Sequence, residues 1–172
     1  MEMGNESGFY AVGLYFDRET EEAIIRLQRD IAGTLQAPLP PGRPHLTLGA
    51  GRDRRVREEE AAFRAIGESV AGEAILFSSI GAFPGEPCVL FLAPIVTDAL
   101  LALHRRADEV LQEASPALAQ LYRPGRWVPH CTVADRLTNG QLLEAIAIAA
   151  AFPMPLTATL SGVEVHWYPA PA

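Results

Sequence analysis

The chain has 172 residues, 49% apolar and 20% charged, which is ordinary for a soluble globular protein and enough for one sizeable domain or two small fused lobes. Its net charge is −7 and all 14 basic residues are Arg, a balance that argues against a protein coating long nucleic acid through its phosphates. Two cysteines are too few for a disulfide framework or a zinc cluster, the polar start with Glu2 and Glu6 is unlike a leader, and no apolar run is long enough to span a bilayer.

In chain order, Phe9–Phe16 reads as a strand rich in aromatic and aliphatic residues. Asp17 is a candidate helix N-cap with Glu19, Glu21 and Glu22 behind it, and Ile24, Leu27, Ile31 and Leu35 mark the apolar face of a helix to about Gln36. The turn-rich stretch Pro38-Leu39-Pro40-Pro41-Gly42 leads into a strand containing Pro44-His45-Leu46-Thr47-Leu48. Arg52–Arg57 is a charged loop before a helix over about Glu58–Val70. Ala74–Gly81 and Cys88–Ala93 are the strands of a hairpin around Pro84-Gly85-Glu86-Pro87. Thr97 or Asp98 caps a helix to about Glu113, with Leu100, Leu103, Ala107, Val110 and Leu111 inward, and Ser115-Pro116 stops it. A loop at Tyr122–Gly125 precedes a strand over Arg126–Ala134, a helix from Thr138 to about Ala151, and a last strand over Thr157–Trp167.

This order has a rhythm. A strand, a helix, a strand bearing a histidine and a further helix occur twice. It predicts a duplicated β-α-β-α unit and an α+β fold. The expected architecture is a single domain over residues 1–172, monomeric and built of two lobes. Two antiparallel sheets would face each other across a central cleft with pseudo-two-fold symmetry, each supplying one histidine strand.

Those strands carry the chemistry. Pro44-His45-Leu46-Thr47-Leu48 and Pro129-His130-Cys131-Thr132-Val133 share the pattern Pro-His-x-Thr-aliphatic. Period-2 alternation puts His and Thr on one face of each strand and the intervening residue in the core, so Cys131 reads as a small buried hydrophobe. At ordinary composition a Thr two places after a given His arises about one time in twenty. Two of the four histidines here have one, each with Pro before it. Two imidazoles and two hydroxyls brought together suit phosphate esters. One His takes a proton, the other gives one, and the threonines donate to phosphoryl oxygens. His104 and His166 lack a Thr partner, and His104 reads as packed or solvated within its helix.

These residues resemble the 2H phosphoesterase superfamily, in particular its 2′-5′ RNA ligase-like and cyclic phosphodiesterase branches. The likeness rests on Arg43-Pro44-His45-Leu46-Thr47-Leu48 and Trp127-Val128-Pro129-His130-Cys131-Thr132-Val133-Ala134. It extends through Ile80-Gly81-Ala82-Phe83-Pro84, Val89-Leu90-Phe91-Leu92-Ala93-Pro94 and the helix with Leu100, Leu103 and His104. The resemblance implies a metal-independent phosphodiesterase with no cofactor, His45 and His130 as the acid/base pair, and Thr47 and Thr132 holding the phosphate. Implied substrates are nucleotides or RNA ends with 2′,3′-cyclic phosphates or 2′-5′ linkages, with end ligation as the reverse reaction.

Further site candidates follow from alternation. Arg43 and Arg126 either share the cleft face and pair with a phosphate or lie on the surface at a strand entrance, and Tyr15 either stacks on a base from the first strand or packs in the core. Trp127 packs beneath the motif or lines the pocket. Asp53 and Asp135 read as solvated strand-end residues, and no carboxylate cluster has metal-binding spacing. Two other readings stay open: a nucleotide-binding regulatory module without turnover, and a structural protein whose motifs are coincidental. The expected compartment is the cytoplasm.

Overall fold

The structure, a computed structural model, describes residues 8–114 and 120–169. Among these the order is β1 (Gly8–Phe16), α1 (Arg18–Leu35), β2 (His45–Gly51), α2 (Glu60–Val70), β3 (Ala74–Phe83), β4 (Cys88–Pro94), α3 (Asp98–Ala114), β5 (Cys131–Leu137), α4 (Asn139–Ala149) and β6 (Leu156–Pro169). Short 3-10 turns occupy Arg54–Glu59 and Gln120–Tyr122. Among the described residues no helix is long and apolar enough to cross a membrane.

Local chemistry explains the boundaries. The Asp17 carboxylate accepts from the Thr20 backbone N–H at 3.0 Å and the Thr20 hydroxyl at 2.7 Å, so it caps α1. The same carboxylate accepts from Thr159 N–H at 2.9 Å and fastens the helix start to β6. Thr138 and Gln141 form a reciprocal capping box at the start of α4. The strand expected over Arg126–Ala134 begins only at Cys131. Pro129 has no N–H to give a neighbour, and the chain is still turning at Arg126, whose N–H donates to Arg123 O at 2.9 Å. The expected stop at Ser115-Pro116 lies outside the described residues.

All six strands join one antiparallel sheet in the order β2-β1-β6-β3-β4-β5. The expectation of two separate sheets is therefore corrected, and β6 is the reason. It has 14 residues, and its first part pairs with β3 (Thr159 opposite Ala74) while the rest pairs with β1 (Leu160 opposite Phe16). One strand thus serves both halves.

The histidine strands β2 and β5 are the two edges of this sheet, about 24 Å apart if it were flat. They nevertheless touch, so the sheet curls strongly and its edges approach. Helices cover the outer side. α1 packs on β5 and α4, and α4 on β4 and β5; α2 packs on β6 and α3, and α3 on β2. Tyr10, Val12, Leu14 and Phe16 of β1 meet Leu46 and Leu48 of β2 and Ile24 and Ile31 of α1 in one buried core. The alternate β1 positions Phe9, Ala11, Gly13 and Tyr15 belong to the opposite, concave face.

Candidate active site

Where the sheet edges meet, the concave face forms a cleft of about 570 Å³. His45, Thr47, His130 and Thr132 all line it. Alternation puts them there. Leu46, Leu48, Cys131 and Val133, the residues between and after, are fully buried on the core side. The Cys131 thiol is pushed up to about 12 by burial, with the His45 backbone acting in the opposite direction.

The imidazoles are held alike. His45 Nδ1 lies 2.7 Å from Arg43 O, and His130 Nδ1 lies 2.7 Å from Val128 O. A carbonyl can only accept, so each Nδ1 carries a hydrogen. Nε2 is then the nitrogen that gains or loses a proton, and the tautomer is fixed by the backbone two residues upstream. Burial lowers the pKa of both rings. For His45 the Arg43 carbonyl opposes this, while the charges of His130, His166 and Arg43 add to it. For His130 the Val128 carbonyl opposes it.

Each ring has an aromatic wall made possible by a glycine. Tyr15 lies 5.6 Å from His45, centroid to centroid, with its ring across Gly13, where a Cβ would sit 2.8 Å from Tyr15 Cε2. His130 packs edge-on to Phe83 at 4.9 Å and against Phe91 at 5.2 Å. A Cβ on Gly81 would collide with the Phe91 ring. Any larger residue at either glycine displaces the ring behind a histidine.

Backbone positions are fixed by side chains from elsewhere. Trp127 Nε1 donates to Thr47 O at 2.8 Å, and Gln28 Nε2, from the buried face of α1, donates to Thr132 O at 3.0 Å. His104 is buried, stacks face to face on Trp127 at 4.0 Å and 3°, and bonds through Nε2 to Tyr122 O at 2.8 Å. Tyr122 lines the cleft, and burial pushes the pKa of its hydroxyl up while the Thr47 side chain opposes the shift.

The secondary candidates divide. Arg126 lines the cleft and, among the described residues, has no ion-pair partner. Arg43 lines it too, but its guanidinium is 2.7 Å from Glu21 and 3.4 Å from Glu164 and lies 4.6 Å over the Tyr15 ring. Tyr15 is on the expected face yet only 4% exposed, so it stands behind His45 and cannot stack on a base. Trp127 is half-buried and does both things expected of it, packing on His104 and lining the cleft. His104 is packed, as its helix position suggested. Asp135 lines the cleft as well. Phe9, Tyr122, Tyr168 and Gln28 were not singled out from the sequence. The readable signals were Phe9 sharing the face of Tyr15 by alternation and Gln28 interrupting an apolar stripe. Among the described residues no group of three His, Cys, Asp or Glu side chains is placed to hold a metal ion.

Residues 61–171 match the family model of the 2′-5′ RNA ligase superfamily. The crystal structure of E. coli LigT in apo form is similar with a TM-score of 0.56 at 15% identity, covering 96% of this chain and 88% of that one. The crystal structure of TT0787 of Thermus thermophilus is similar with a TM-score of 0.51 at 22% identity, covering 94% and 83%. At such identities the likeness is one of fold. None of the curated proteins matches the chain.

Proposed function

The chain belongs to the 2′-5′ RNA ligase superfamily of 2H phosphoesterases, and from that premise we propose that it is a metal-independent phosphodiesterase acting on RNA-type phosphodiesters, either 2′,3′-cyclic phosphates or 2′-5′ linkages. The observation that carries this reading is the matched pair of imidazoles in one cleft, each with Nδ1 tied to a carbonyl two residues upstream.

For a 2′,3′-cyclic phosphate the roles follow. The neutral histidine takes a proton from water through Nε2 as the water oxygen bonds to phosphorus. The protonated one gives its proton to the ribose oxygen as the P–O bond breaks. The Thr47 and Thr132 hydroxyls donate to the phosphoryl oxygens, where negative charge gathers in the transition state. Arg126, which has no ion-pair partner among the described residues, adds a positive charge. With the 5′ hydroxyl of a second RNA end in place of water, the same steps join the two ends: its oxygen bonds to phosphorus, its proton goes to the neutral histidine, and the ribose oxygen leaves with the proton of the other. The duplicated element order supports a further reading, that one domain arose as two pseudo-two-fold related halves, each giving one histidine.

The test is turnover of 2′,3′-cyclic nucleotides and short 2′-5′ oligonucleotides in EDTA. His45→Ala and His130→Ala should each lower turnover by about a hundredfold or more, with the double variant little worse than the worse single, because the pair acts as a unit. Near-normal turnover by either single variant overturns the paired mechanism. Binding without turnover in the wild type supports the regulatory module instead.

A further inference from the structure

With Tyr15 behind His45, the aromatic surface the cleft offers lies elsewhere. Phe9 of β1 and Tyr168 of β6 are cross-strand neighbours stacked at 4.8 Å and 15°, and both line the cleft. Phe9 is 39% exposed. Tyr168 leans over the concave face, its hydroxyl meeting Gly42 just before Arg43, and His166 packs against its ring at 4.7 Å. An open aromatic pair inside a concavity is costly to leave in water and is the usual mark of a ligand surface.

The pair is placed for a group attached to the phosphate. Gly13, the β1 partner of Thr47, is four residues from Phe9 on the same face, a span of about 13 Å between Cα atoms. Thr47 and Phe9 both line the cleft, so the phosphate-holding threonine and the aromatic pair face one space. The charges point to a small ligand. Arg43 is neutralised by Glu21 and Glu164, which leaves Arg126 for the ligand's phosphate. A long strand would bring further phosphates to a site without further free cations among the cleft residues.

Resting on the phosphodiesterase reading, we propose that the Phe9–Tyr168 pair is the floor on which the nucleobase of the substrate stacks, making the preferred substrate a small nucleoside phosphodiester with a single phosphate. Every base has a π face, so the floor favours a base over no base without choosing strongly among bases.

The experiment compares a nucleoside 2′,3′-cyclic phosphate with the base-free 1-O-methylribose 2′,3′-cyclic phosphate, using wild type, Phe9→Leu and Phe9→Trp. Wild type should prefer the nucleotide by about tenfold or more in kcat/KM, the effect of one stacked base. Phe9→Leu keeps an apolar side chain but no ring. It should lose most of that preference, through KM for the nucleotide, while Phe9→Trp retains it. Equal losses on both compounds, or an undiminished preference in Phe9→Leu, overturn the stacking floor and leave the phosphodiesterase reading standing. Wild type that hydrolyses neither compound and cleaves no 2′-5′ oligonucleotide overturns both. An oligonucleotide ending in a 2′,3′-cyclic phosphate should show no lower KM than the mononucleotide, and a tenfold lower KM overturns the preference for a small substrate.

Discussion

The indole N–H of Trp127 donates a 2.8 Å hydrogen bond to the carbonyl oxygen of Thr47, so the segment leading into His130 is fastened to the strand that bears His45. Thr47 lies on an edge strand, and this bond gives its outward carbonyl a partner from the other motif. The stack of His104 on the indole holds the donor in place from behind.

Trp127→Phe keeps an aromatic ring for His104 but removes the N–H and part of the indole's bulk. It should cost about 1–3 kcal/mol for the carbonyl left short of its partner, and more for the gap that the smaller ring leaves. Urea unfolding reads that cost. Turnover of a cyclic phosphodiester should also fall several-fold, because Thr47 is then less firmly held against the second motif. Wild-type stability together with wild-type turnover would show that the bond fixes nothing.

The two cleft arginines should behave differently. Arg126 has no carboxylate to leave among the described residues, so Arg126→Ala should raise KM for a single-phosphate substrate by about tenfold, the scale of one charge-assisted hydrogen bond. Arg43 is already bonded to Glu21 and Glu164. Arg43→Ala should change KM less and act mainly by loosening Tyr15 behind His45. Steady-state kinetics on both variants decides; a larger KM effect at Arg43 would mean that it abandons its carboxylates for the substrate.

These contrasts show what local pattern carries. Alternation correctly assigned Leu46, Leu48, Cys131 and Val133 to the core and so placed His45, Thr47 and Thr132 on the cleft face. It also gave the right face for Tyr15. It could not give the fold of that ring across Gly13, because a rotamer answers to the space left by neighbours and not to the strand period. Arg43 was legible as a cleft residue, but its partners come from α1 and β6, far away in sequence. The single sheet was missed for a related reason. Nothing within Leu156–Pro169 says that its first residues will pair with β3 and its later ones with β1.

His104 makes stability depend on pH. Burial lowers its pKa, against the Tyr122 and Leu48 backbone bonds and Asp108, and with Arg105. In the unfolded chain an ordinary His titrates near 6.5. Below that pH the unfolded state binds a proton that folded His104 resists, so its contribution is full above about 6.5 and shrinks as pH falls toward the depressed native value. His45 and His130 are held low as well and act in the same direction. Urea unfolding between pH 5 and 7.5 should show stability rising with pH, with a shallower slope in His104→Gln. Stability that increases on acidification would contradict the burial of these rings.

The pH profile of catalysis tests the division of labour between His45 and His130. Hydrolysis needs the pair to hold a single proton. With two, no base remains, and with none, no acid remains. The profile of kcat/KM should therefore rise and fall, with limbs that belong to the pair rather than to either ring. Burial disfavours the charged form of both, so both limbs should lie on the acid side of where two ordinary histidines would put them. The charge of His130 lowers His45 further, which resists the doubly protonated state and widens the window by moving the acid limb down. Bound phosphodiester is an anion and favours imidazolium, so the profile of kcat should sit at higher pH than that of kcat/KM. Arg43→Ala removes a positive charge near His45 and should raise its pKa, moving the limbs upward. A flat kcat/KM between about pH 5 and 9, with the chemical step limiting, would leave no role for a shared proton and would rule out the two-histidine scheme.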